Sequence, residues 1–196
     1  MKIVHLIAGI ALSATPSLAE ETTQLDAHEH GVGQLNIAFD ENKVAMELHA
    51  PGADIVGFEY GAKSDVDLAA IDAALQTLSN PLGLFLLPEA ASCIVITAHA
   101  KLESEESDHD DHDEEGHDDH DEEGHDDHDE APGHTEFHAE YLLECANLTE
   151  ISAITFSYFD IFPNALELEV QVISDKGATA FEIERDVAKL DLRGIF

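Results

Sequence analysis

The chain has 196 residues, with 43 aspartates and glutamates against 8 lysines and arginines, so its formal net charge is −35. That balance argues against nucleic acid and anionic membrane surfaces as partners and for small cations. Thirteen histidines and two cysteines leave divalent metal binding and one disulfide as the chemistry to look for.

The chain starts Met1-Lys2, continues through an apolar run at 3–14, and reaches Ser17-Leu18-Ala19, the order of a cleavable secretory signal. Residues 1–19 are read as that signal. The run is too short, and broken by Pro16, to anchor the protein in a membrane. Residues 20–196 then form a single domain with a disordered insertion at 103–133.

In residues 33–39, Leu35, Ile37 and Phe39 alternate with Gln34, Asn36 and Ala38, a strand with one buried face. After the turn Asp40-Glu41-Asn42, Val44, Met46 and Leu48 continue the alternation, so the two runs form an antiparallel hairpin. Its register pairs Phe39 with Lys43 or Val44 and sets His49 opposite Gly33 or Gln34. If the alternation reaches back to residue 28, His28, His30 and His49 share the polar face. They either converge at the open end of the hairpin or stand as three independent exposed histidines.

Pro51-Gly52 ends the second strand, and residues 53–60 form an irregular or single-turn segment. Ser64-Asp65-Val66-Asp67 resembles a capping box, and Leu68, Ile71, Leu75 and Leu78 recur at helical steps up to about Ser79. Asn80-Pro81 stops the helix, which covers the sheet.

Residues 93–102 and 135–145 are strands, the first β-branched and apolar, the second with Phe137, Ala139, Tyr141 and Leu143 at every second position. Paired antiparallel, they set Cys93 opposite Cys145, Val95 opposite Leu143 and Thr97 opposite Tyr141. In an exported chain an even cysteine pair favours a disulfide; the competing reading, two thiolate metal ligands, lacks CxxC spacing. His134, Glu136 and His138 share the face opposite Phe137 and Tyr141. Residues 151–160 are a further strand, 162–164 a turn, and 165–173 a strand with Leu166, Leu168, Val170 and Val172 on one face. The turn 174–177 leads into a strand at 178–184, and the leucines of the tail at 185–196 find no place. The fold class is α+β, mainly β: an antiparallel sheet or sandwich with a covering helix and a long disordered His/Asp-rich loop.

That loop joins the two cysteine-bearing strands. Residues 107–133 hold the octad HDDHDEEG twice and a third, partial copy, which places His109 and His112, His117 and His120, and His125 and His128 three residues apart among carboxylates. Imidazole and carboxylate together suit zinc and neighbouring divalent metals, and the repeat can take several zinc ions. With almost nothing apolar to bury, it stays mobile when metal-free, and closing so long a loop costs entropy that grows only logarithmically with length. A separate, ordered site is expected from His28, His30 and His49 with His138 or His134 as a further ligand. A rigid site loses fewer conformations on binding and holds zinc more tightly than a floppy one. The sequence has no nucleophile motif, no HExxH and no glycine-rich phosphate loop, so it is not read as an enzyme.

Several stretches together resemble the ZrgA family of zinc-regulated periplasmic proteins. They are His28-Glu29-His30-Gly31 with Leu35-Asn36-Ile37-Ala38, the segment Ala50-Pro51-Gly52-Ala53-Asp54-Ile55-Val56-Gly57-Phe58-Glu59, the cysteines around the acidic loop, and Ile161-Phe162-Pro163 leading to Leu168-Glu169-Val170-Gln171. The resemblance implies a periplasmic zinc-binding protein that supports high-affinity uptake beside a zinc-specific solute-binding protein and its ABC transporter. The alternative is a periplasmic buffer or tolerance protein for zinc, copper or nickel. One departure is Tyr60, which stands where a histidine is expected after the Gly-Phe-Glu segment.

Overall fold

The computed structural model describes residues 29–104 and 134–195. The expected signal at 1–19, His28 and the octad tract with His109, His112, His117, His120, His125 and His128 lie outside the described residues.

Alternation in the first two runs builds the middle of the main sheet. Strands β1 (Val32–Asp40) and β2 (Lys43–Pro51) pair antiparallel with Phe39 opposite Val44 and His49 opposite Gln34, one of the two expected registers. Leu35, Ile37, Val44 and Leu48 point inward and are wholly buried, each contributing about 1.5–3 kcal/mol of transfer energy. Gly52–Ile55 follows as the single helical turn α1, and Asp65–Leu78 as helix α2. The Ser64 hydroxyl accepts the Asp67 N–H at 3.1 Å, the expected N-cap. Helix α2 buries Ile71, Ala74 and Leu78, whereas Leu68 faces out.

A helical turn α3 (Pro81–Leu84) and the two-residue strand β3 (Phe85–Leu86) lead to β4 (Cys93–Ser104). Strand β5 (Thr135–Cys145) lies between β4 and β2, with Cys93 opposite Cys145 and the two joined in a disulfide. The expected register holds at Val95 and Leu143 and then slips: a bulge at Ile96 sets Thr97 against Leu142 and Ala98 against Tyr141. Glu103 and Ser104, assigned by sequence to the insertion, are paired strand residues opposite Glu136 and Thr135.

The segment read as a strand at 151–160 is shorter and more bent. Strand β6 covers only Ala153–Phe156, and Tyr158–Ile161 is a helical turn, α4. Tyr158 and Phe159 are consecutive and both buried, which a strand's alternation between faces cannot achieve. Strand β7 (Glu167–Ser174) starts one residue past Leu166, which is exposed and not part of the buried face. It then pairs with β8 (Gly177–Glu184) through the expected turn. The tail supplies β9 (Lys189–Asp191), and its Leu190 and Leu192 are buried against β6.

The six-stranded sheet runs β4-β5-β2-β1-β7-β8, and β3-β6-β9 form a second, antiparallel sheet. The class is the α+β, mainly β arrangement expected. The larger sheet is mixed, because β7 runs parallel to β1. The chain crosses through β6 and α4 before returning, so β7 enters in the direction of β1, as a crossover permits and a hairpin does not. Phe85, Phe156, Tyr158 and Phe159 pack between the two sheets. The Arg185 guanidinium closes the turn beside them by donating to the Phe162 carbonyl at 2.8 Å.

Candidate metal centre

Two groups of histidine and glutamate lie where β5 leaves the octad tract. Among the described residues, His30, Glu59 and His134 form one, and His49, Glu136 and His138 the other, each with ligand atoms within 4.8 Å of one another. Strand β5 feeds both, because His134, Glu136 and His138 alternate outward from the sheet while Thr135, Phe137 and Ala139 are buried.

The first group is assembled from three different stretches. Glu59 Oε2 lies 3.0 Å from His30 Nε2 and 2.8 Å from His134 Nδ1. The loop carrying Glu59 approaches the start of β5 because residue 52 is glycine: a Cβ there would stand 2.7 Å from the Phe58 carbonyl and closer still to the Thr135 hydroxyl. His30 occupies the turn before β1, where Gly31 adopts φ +91°. The Gly31 N–H donates to the buried Asp54 carboxylate at 2.7 Å, and its carbonyl accepts from Leu166 and Glu167 at 2.8 Å each. The turn is thereby gripped from α1 on one side and β7 on the other. Tyr60, at the position where histidine was expected, instead stacks on Phe58 at 4.8 Å, and its neighbour Glu59 faces the two imidazoles.

The second group stands on the sheet itself. His49 on β2 is directly opposite His138 on β5, with ring centroids 4.2 Å apart. Glu136 Oε2 lies 3.5 Å from His49 Nδ1 and 2.5 Å from His138 Nε2. Glu47 reaches His49 Nε2 at 3.2 Å, and Glu103 Oε2 reaches His138 Nε2 at 3.2 Å.

The electrostatics follow from these bonds. Burial works to raise the Glu59 carboxyl, but the His134 and His30 bonds outweigh it and hold the group below the ordinary carboxylate range. The Glu136 hydrogen bond raises His49 above an ordinary imidazole; burial opposes this and Glu47 adds to it. Desolvation raises Asp54 to about 6, against the lowering effect of the Gly31 N–H.

Both groups suit zinc. Bonds of about 2.1 Å at tetrahedral angles put neighbouring ligand atoms about 3.4 Å apart, and the His30–Glu59, His134–Glu59, His49–Glu136 and His138–Glu103 separations are already 2.8–3.5 Å. A family model described as ZrgA family zinc uptake protein matches residues 27–192. The chain belongs to the ZrgA family. No curated protein matches it. The ZrgA match takes in both groups and both cysteines, and with it comes a zinc-related function.

Against the sequence expectation, the structure keeps four of the histidines near the end of β5 but divides them. His30 goes with His134 and His49 with His138, because the alternation stops at Val32 and Gly31 turns the chain away from the strand direction. The carboxylate partners Glu59 and Glu103 were not singled out from sequence. The signal for Glu136 was present in the spacing His134-x-Glu136-x-His138, whereas nothing local points to Glu59, which is 75 residues from His134.

Proposed function

We propose that this protein captures zinc in the periplasm, gathering it on the octad tract and transferring it to the two folded groups at the base of the tract. It would thereby supply a high-affinity uptake system, a zinc-specific solute-binding protein and its ABC transporter. The observation carrying this reading is that the strand leading out of the tract opens on residues that could hold a metal: β5 begins beside His134 and brings Glu136 and His138. Zinc caught on an imidazole of the tract would need to move only to the adjoining strand end to reach a preorganised site. The role is that of a carrier and not of an enzyme, and the signal at 1–19 supports export. The family description agrees with uptake more than with tolerance.

Calorimetric zinc titration of the mature chain at pH 7 tests the reading. Replacing His109, His112, His117, His120, His125 and His128 by alanine is expected to remove most bound equivalents and leave two tight ones for the two folded groups. An unchanged stoichiometry would remove the tract from the mechanism, and no residual binding at micromolar zinc would remove the folded groups.

A further inference from the structure

The two groups differ in a way that assigns them different tasks. We propose that Glu103 is a fourth ligand of the His49–Glu136–His138 group, so that this site is closed and retains its cation, while the three-ligand His30–Glu59–His134 site exchanges it. This inference rests on the zinc-binding reading above.

Glu103 and Glu136 are directly opposite residues on β4 and β5, and both direct an Oε2 at the same His138 nitrogen, from 3.2 and 2.5 Å. One ring nitrogen carries one proton at most, so His138 Nε2 offers the two carboxylates a single donor between them. Two carboxylates facing each other across a strand pair repel, and a divalent cation between them turns that repulsion into attraction. Lys101 prepares Glu103 for this role. Its ammonium pairs with the other oxygen, Oε1, and leaves Oε2 turned toward His138, the arrangement by which an outer partner orients a ligand.

With Glu103 included, the site has two imidazoles and two carboxylates, all on paired strands of one sheet. Such a set is charge-neutral with Zn²⁺ and fills a tetrahedral shell, the pattern of closed sites. The His30–Glu59–His134 set brings one carboxylate, retains one positive charge with Zn²⁺, and leaves the fourth position to water or an incoming ligand. Its imidazoles are also the more accessible: His30 and His134 side chains are 65 % and 53 % exposed, against 27 % and 19 % for His49 and His138. An incoming ligand can therefore attack the first site directly, whereas the second must first release one of its own.

The test uses full-length mature chain whose six octad histidines are alanine, loaded with zinc and challenged with a chromophoric chelator. Two ions are expected to leave at separable rates. Glu103→Gln should speed departure of the slower by at least about tenfold and leave the faster unchanged, whereas His134→Gln should remove only the faster. Zinc anomalous diffraction from the same protein should place an ion bonded to Glu103 Oε2. If two ions bind and Glu103→Gln changes neither, or changes both alike, Glu103 is no ligand and the zinc reading survives. If no ion binds before Glu103 is altered, the zinc reading of the folded groups is what fails.

Discussion

Asp54 shows how a residue that touches no ligand atom shapes the site. One of its oxygens accepts the Gly31 N–H and so fixes the turn bearing His30, while Oδ2 is buried with no hydrogen-bond partner among the described residues. An unpartnered carboxylate oxygen in such a place is costly, and desolvation raises the group from 3.8 to about 6. A carboxyl raised in the folded state destabilises the fold when ionised. The penalty is absent below the unfolded value of 3.8, grows as pH rises, and is complete above about 6. Asp54→Asn keeps an acceptor for Gly31 and removes the charge. It is expected to raise stability at pH 7 by up to about 3 kcal/mol, with the gain vanishing near pH 3.5. Denaturant titrations at the two pH values check this, and an equal effect at both would refute it. The neutral side chain should also weaken zinc at the His30 group, because the nearby anion that favours a cation is gone.

At the level of elements, the β4–β5 hairpin is closed at one end by the disulfide and at the other by the metal groups, with the tract rooted at the metal end. The disulfide spans 52 residues of sequence, and in the chain-entropy model closing a loop of that size stabilises the fold by roughly 4 kcal/mol. Replacing Cys93 and Cys145 by alanine together should lower guanidinium stability by about that amount. Because the bridge lies at the opposite end of the hairpin, zinc affinity of the folded groups should stay within about twofold. Unaltered stability, or loss of zinc binding with the fold intact, would contradict this division. The same hairpin shows what sequence can and cannot convey. Alternation located β1, β2, β5 and most of β7, and it paired Cys93 with Cys145 correctly, because a half-buried strand writes its period into its residues. The bulge at Ile96 was invisible, since 93–97 is apolar or β-branched at every position and any register fits it. Strand β9 and turn α4 were missed because their burial depends on a second sheet that only long-range pairing creates. The candidate site was legible in its histidines and not in Glu59 or Glu103, whose proximity is set by the glycine crossing at residue 52 and by the extension of β4 to Ser104.

For the whole molecule, protons and zinc compete for the same imidazoles, and their effects on stability run in opposite directions. His49 is raised above its ordinary 6.5 in the metal-free fold by Glu136. Its contribution is therefore complete below 6.5 and is lost as pH rises through the folded value. Asp54 acts in the same sense, since its penalty grows up to about 6. Glu59, held low by its histidines, contributes above 4.5 and loses that contribution only as pH falls through its lowered value. Loss of histidine protons as pH rises brings the chain to its full −35 and further favours expansion at high pH. The metal-free protein should accordingly be more stable at pH 5.5 than at pH 8. Zinc needs neutral imidazole, so its stabilisation follows the reverse course. At a free concentration one hundred times a site's dissociation constant it adds about 2.7 kcal/mol per site, and this should be present at pH 8 and largely lost by pH 5. Scanning calorimetry with and without zinc across this range should give two curves that approach each other in the acid and separate above neutrality. A zinc-induced rise in Tm as large at pH 5 as at pH 8 would mean that carboxylates alone hold the ion, and the histidines of both groups would then lose their role as ligands.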